Sequence, residues 1–228
     1  MTTTDLTDRY CLDAYMEGGP PRWAVDRARQ PVRAAILHHT AGWYGRPLDA
    51  SATVAEEIAQ ADALARDHRA RFGVGPGYHY LAFPSGRVYA VGKWGTQRAH
   101  TTGRDPATGE RWNVQAIGVC AFGNFEDERP AAGTVAGVRA ALAEVNRIAG
   151  RVLPVIAHGE TPSTDASGRG FAQATACPGV HLLRALARPD RGTPDADIEA
   201  VRRAVHDAQG RLAEAAALLE ALRAPSRL

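Results

Sequence analysis

The chain has 228 residues, 45% of them hydrophobic and 23% charged, with a formal net charge of +2, a composition typical of a folded globular domain and unlike that of a disordered chain. That charge is too small for the concentrated basic face of a nucleic-acid binder, and no run of 18 apolar residues exists to form a transmembrane segment. Cys11, Cys120 and Cys177 are an odd number with no spacing framework, which argues against a disulfide scaffold.

The opening residues, MTTTDLTDRYCLD, lack the basic and apolar regions of a signal peptide, so the expected location on synthesis is cytoplasmic. Residues 1–30 mix charges with GGPP and read as an irregular arm anchored by Tyr10, Tyr15 and Trp23. The main domain is expected over residues 31–188. It begins with a strand, Ala34 to Leu37, that runs into His38 and His39 and stops at Thr40-Ala41-Gly42. Successive strand side chains point to opposite faces, so the two histidines cannot do the same job.

Thr53 with Glu56 three residues on has capping-box spacing, and Val54, Ile58, Ala61, Ala65 and His68 recur at helical intervals behind it. Tyr78 to Phe83 and Arg87 to Val91 read as a hairpin about Pro84-Ser85-Gly86. Ala116 to Gly123 is a continuous apolar run of the buried-strand kind. A helix follows with Val135, Val138, Leu142, Val145 and Ile148 on one face and Thr134 as its cap. VLPVIAHG is a further short strand ending in His158, and a helix runs from Pro178 to Leu186. Strands alternating with helices predict an α/β fold, a central mixed β-sheet flanked by helices.

Two strands thus end in histidine, at His38 and His158, and Cys177 follows the second. A His, His, Cys set drawn from three segments suits a catalytic zinc site, where three protein ligands leave a fourth position open. Equally, a histidine at a strand end is commonly a packed or capping residue, and a buried cysteine commonly acts as a small hydrophobe. Cys120, in mid-strand, reads as core, and His79 alternates with Tyr78 onto the other face of the sheet. Glu160 is a candidate base, although a carboxylate after a strand is most often solvated.

The segments ILHHTAGW, GVGPGYHYLAFPSGRVYAVGKWG, RAH, NVQAIGVCAFGNF and IAHGE…TACPG, in this order over residues 33–187, resemble the zinc-dependent N-acetylmuramoyl-L-alanine amidases, a family that includes phage endolysins and the peptidoglycan recognition proteins. The resemblance implies one Zn²⁺ per chain held by His38, His158 and Cys177, with His39 as the outward-packed neighbour. It also implies catalytic roles for Tyr78 and Thr175 as donors to a developing oxyanion, and a substrate contact from His100. The implied reaction is hydrolysis of the amide joining N-acetylmuramic acid to L-alanine in bacterial peptidoglycan, with an endolysin as the expected setting. The proton donor to the leaving amine stays open. The spacer between His158 and Cys177 is longer than the shortest in the family, so the loop beside the metal is expected to differ.

Two other readings belong to the same resemblance. Cell-wall-recycling amidases of the cytosol commonly carry an aspartate where Cys177 stands, and non-catalytic peptidoglycan-binding modules lose zinc ligands, the cysteine above all. Beyond the resemblance, Ile198, Val201, Val205, Ala208, Leu212, Ala215, Leu219 and Leu222 form a heptad-spaced seam in the tail, residues 189–228. It is expected to be an amphipathic helical tail that either folds back on the domain or self-associates. Binding to a membrane surface or an anionic wall polymer is a minor reading.

Overall fold

The computed structural model of the chain describes residues 3–11 and 24–188. Six strands, β1 (Thr3–Asp5), β2 (Ala34–His39), β3 (Tyr80–Ala82), β4 (Val88–Ala90), β5 (Ala116–Ala121) and β6 (Val155–Ala157), pair in the order β1-β4-β3-β5-β2-β6. β3 and β4 form an antiparallel hairpin, and the other neighbours are parallel. The helices are α1 (Thr7–Tyr10), α2 (Val54–Phe72), α3 (Trp112–Gln115), α4 (Ala132–Ala149) and α5 (Val180–Ala187). A small second sheet, β7 (Ser163–Thr164) with β8 (Gly170–Phe171), lies between His158 and Cys177 in sequence.

Strand alternation sorts the core into two layers. Ile117, Val119 and Ala121 of β5, with Ala35 and Leu37 of β2, face Val138, Ala141 and Val145 of α4 and Leu182 of α5. Cys120 and Leu81 face the other way, toward Ala61, Leu64 and Ala65 of α2, with Phe83, Tyr89 and Phe122 completing that layer. Each fully buried leucine, isoleucine or phenylalanine contributes about 1.5–3 kcal/mol over an exposed one, so both layers are needed to hold the long parallel strands in place.

The N-terminal arm is more regular than its composition suggests. β1 pairs in parallel with β4, Leu6 N–H donates to Ala90 O at 2.8 Å, and the Tyr10 hydroxyl donates to Asp62 of α2 at 2.8 Å. Tyr15 and Trp23, like the whole tail seam from Ile198 to Leu222, lie outside the described residues.

Thr53 caps α2 as its spacing predicts, with Glu56 N–H donating to Thr53 Oγ1 and Glu56 Oε2 accepting from Thr53 N–H at 2.8 Å. The buried stripe of α2 runs through Glu57, Gln60, Ala61, Leu64, Ala65 and His68, so Val54, expected inside, faces solvent. Thr134 is not the cap of α4. The helix starts two residues earlier after Ala131, and Thr134 is buried with Gly137, Val138, Ala141 and Val145 on the face that packs on the sheet.

Candidate metal centre and groove

The register of β2 with β6 places the two strand-ending histidines side by side. Ala35, Ile36 and Leu37 pair with Val155, Ile156 and Ala157, so the next position on each strand is a histidine. β6 stops there, and His158 opens a 3₁₀ turn that closes with Thr161 N–H donating to His158 O at 3.1 Å. The rings of His38 and His158 are 4.6 Å apart between centroids.

Cys177 arrives from the segment before α5. Its carbonyl accepts the Gly159 N–H at 2.8 Å, and a Cβ on Gly159 would lie 2.4 Å from Thr175 O, so only glycine lets the two segments approach this closely. The Cys177 Sγ comes to 3.7 Å from His38 Nδ1. The three potential ligand atoms of His38, His158 and Cys177 lie within 4.8 Å of one another.

Adjacent in sequence, His38 and His39 divide their work across the sheet. His38 faces α2 and the centre just described. His39 is also buried, on the opposite face, where its Nδ1 accepts the Phe125 N–H at 3.1 Å and its Nε2 lies 3.6 Å from Glu126 Oε1. Its backbone N–H donates to Cys177 Sγ at 3.3 Å, so it supports the thiol through the main chain.

Burial, reinforced by the neighbouring His100, pushes the His38 pKa well below the usual imidazole value, and burial lowers that of His158 as well. Both rings are therefore neutral near pH 7 and keep a lone pair to offer. Burial pushes the Cys177 thiol up to about 12. Two neutral imidazoles and a thiol needing a nearby cation to ionise form a donor set that fits zinc, with a fourth position for water or substrate.

Around this centre stand the other expected residues. Tyr78 is buried with its ring 5.1 Å from that of His38, and burial, with the Cys120 and Cys177 thiols nearby, raises its hydroxyl pKa well above 10. Thr175 is exposed on the rim, where its Oγ1 accepts the Cys177 N–H at 3.1 Å, which leaves the hydroxyl proton free to be donated outward. His100 lines the groove, with its Nδ1 3.1 Å from His38 Nε2. His79 faces away from Tyr78 as expected and is fully buried, its Nδ1 accepting the Gly118 N–H at 3.1 Å and its Nε2 against Thr96 O at 3.0 Å. Cys120 is core. Glu160 is exposed and does not line the groove.

The centre opens into a groove of about 570 Å³ lined by Phe72, His100, Asn113, His158, Gln173 and Thr175 among others. Gln173 to Thr175, the stretch after the β7–β8 hairpin, form part of its wall, and the hairpin itself packs behind them. Arg104 and Thr164 exchange backbone hydrogen bonds at 2.9 Å, Trp112 Nε1 donates to Pro162 O at 2.7 Å, and Gln173 Nε2 donates to Thr102 O at 3.0 Å. This is the long spacer expected to set the loop apart. His68 belongs to the site although its chemistry gave no separate signal in the sequence. Its Nδ1 accepts the Gly77 N–H at 2.9 Å, its ring is 5.4 Å from that of Tyr78, and burial lowers its pKa to about 4. A neutral ring with Nδ1 so engaged carries its proton on Nε2.

The N-acetylmuramoyl-L-alanine amidase pattern matches residues 28–180. Peptidoglycan recognition protein 1 of Bos indicus is 30% identical over 161 residues, covering 70% of this chain and 73% of that protein. The fold is similar to that of bumblebee PGRP-SA, at a TM-score of 0.57 and 22% identity over 80% of this chain and 92% of the other. It is also similar to that of the N-acetylmuramoyl-L-alanine amidase LysC from Clostridium intestinale, at a TM-score of 0.50 and 16% identity over 89% and 98% of the two chains. With the pattern spanning both strand-end histidines and Cys177, the chain belongs to the N-acetylmuramoyl-L-alanine amidase family.

Proposed function

We propose that the protein is a zinc-dependent peptidoglycan hydrolase of the endolysin type that cleaves the amide between N-acetylmuramic acid and L-alanine. The observation that carries this reading is the convergence of His38, His158 and Cys177 at the head of the groove. A recognition module that only binds has no need of that donor set. Zinc, when bound there, supplies the charge that lowers the pKa of a water and polarises a carbonyl.

The chain's own groups do the rest. His38 and His158 hold their lone pairs ready because burial keeps them neutral. The Tyr78 hydroxyl, kept protonated, donates to the amide oxygen as negative charge develops on it, and the outward Thr175 hydroxyl does the same from the rim. His68 offers its Nε2–H from the α2 side, which suits it to stabilise the departing amine or the oxyanion as a neutral donor. The groove between Phe72 and the Gln173–Thr175 segment holds the flanking glycan and stem peptide, which fixes the scissile amide against the centre.

The experiment is digestion of purified peptidoglycan by protein whose zinc content has been measured. One zinc per chain and new L-alanine amino termini without new reducing sugar ends are expected. New reducing ends, or a zinc-loaded protein that binds the polymer and releases nothing, overturn the reading. Clearing of a suspension of whole bacteria by added protein tests the endolysin setting.

A further inference from the structure

We propose that His100 is a positioning residue, which accepts the Nε2–H of His38 and so presents the Nδ1 lone pair of His38 to the metal; this rests on the zinc reading above. The two ring nitrogens of His38 face different partners. Nδ1 is 3.7 Å from Cys177 Sγ, and Nε2 is 3.1 Å from His100 Nδ1. A neutral imidazole carries one N–H and one lone pair, and a metal ligand must offer the lone pair. With the proton on Nδ1, His38 would point hydrogen into the ligand set. With the proton on Nε2, it donates to His100 and leaves Nδ1 free. The polarity of the His38–His100 hydrogen bond and the competence of the ligand are therefore the same question.

His100 is built to be an acceptor at a fixed point. Its backbone N–H donates to Asn113 Oδ1 at 3.0 Å, and Asn113 Nδ2 donates to Thr101 O at 2.7 Å, which clamps the main chain on both sides of the residue. The ring lies against Gly118 of β5, where a Cβ would come within 2.8 Å of His100 Cγ. His38 is 1% and His100 5% exposed, so bulk water does not compete for the His38 Nε2–H. The same burial separates this role from substrate contact. Although His100 lines the groove, its Nδ1 is turned to His38, and its Nε2 is shut off from solvent on the side of the Ala116 main chain, which is where its own proton sits when Nδ1 accepts. Neither nitrogen is presented to a ligand. Partners of this kind, one bond behind a metal ligand, change metal affinity by about 10–100-fold when removed.

Two measurements test the proposal. Long-range ¹H–¹⁵N correlation spectra of the zinc-free wild-type protein should show His38 as the Nε2–H tautomer. Competition with a chromophoric chelator should show zinc affinity about 10–100-fold weaker in His100→Ala and within about threefold of wild type in His100→Asn, whose Oδ1 can stand where Nδ1 stood. An Nδ1–H tautomer in His38, or a folded His100→Ala variant that binds zinc as tightly as wild type, overturns it. Should His100→Ala fail to fold, the wild-type tautomer and the affinity of His100→Asn decide the matter, a loss of ten-fold or more in the latter counting against it. A wild-type protein that binds no zinc overturns the hydrolase reading and this proposal together, whereas zinc binding that ignores His100 overturns this proposal alone.

Discussion

α2 carries a buried polar group near each end, and the two surroundings are opposite in kind. Near its start, the fully buried Glu57 accepts hydrogen bonds from Ser85 Oγ at 2.5 Å, Arg87 Nε at 2.6 Å and the Tyr89 hydroxyl at 2.7 Å. Acceptor meets donor, and negative charge meets positive. Near its end, His68 and Tyr78 border His38, His158 and Cys177, whose potential ligand atoms face one another within 4.8 Å. Both clusters are interior and both hold ionisable groups. A cluster that satisfies itself is architecture, whereas one whose members all offer the same kind of atom is suited to a group supplied from outside.

The sharpest way to break this contrast is at Cys177. Cys177→Ala should lose most of the bound zinc by elemental analysis, and amide hydrolysis should fall by about 10³-fold or more, the equivalent of several kcal/mol of transition-state charge stabilisation. Next in size is Tyr78→Phe, expected to lower kcat by about 10²–10³-fold while zinc stoichiometry stays at one per chain, because a donor is removed and the ligands are not. Equal losses of zinc and of turnover in that variant would place Tyr78 among the groups that build the centre.

The closed cluster should answer in a different observable. Glu57→Ala is expected to destabilise the fold by about 3 kcal/mol in urea titrations, the lower end for a broken buried pair, because Arg87 is 37% exposed and can turn its charge to water. Zinc bound per folded chain should not change. The smallest effect is expected at the cap of the same helix. Thr53→Ala should cost about 1 kcal/mol, or about 2–4 °C in Tm for a domain of this size, with kcat unaltered.

Legibility in the sequence followed how local each determinant is. The capping box of α2 involves residues three apart, and Thr53 and Glu56 form it as their spacing predicts. His38 and His158 were readable because each closes an apolar strand, and the parallel register of β2 and β6 then brings them together. Glu57 was harder, whereas His68 was placed on the inward stripe by its spacing without any sign of what it meets there. Glu57 and Gln60 share that buried stripe, so a count that passes over them rotates the helix and puts Val54 inside. A polar residue recurring at stripe spacing was the available signal. Thr134 misled for a related reason, since a threonine near a helix start reads as a cap until the packing of α4 on the sheet is known. The contact between His38 and His100 joins residues 62 apart, and no spacing rule announces it.

β1 has a consequence for how copies of the protein behave toward one another. By pairing with β4, Thr3, Thr4 and Asp5 become the edge of the sheet themselves, so a short polar strand stands outermost in place of the apolar Val88, Tyr89 and Ala90. Exposed apolar edges recruit strands from other molecules, and a charged residue on the edge discourages it. Asp8 and Arg9, just beyond, reach Lys93 at 2.8 Å and Asp62 at 2.6 Å and keep the short strand seated. The groove and the candidate metal ligands lie in other segments, so removing residues 1–5, which spares the buried Tyr10 and Cys11, should leave that site formed and instead make the protein prone to concentration-dependent aggregation. On this expectation the residues of β1 act as a guard on colloidal behaviour, remote from the groove.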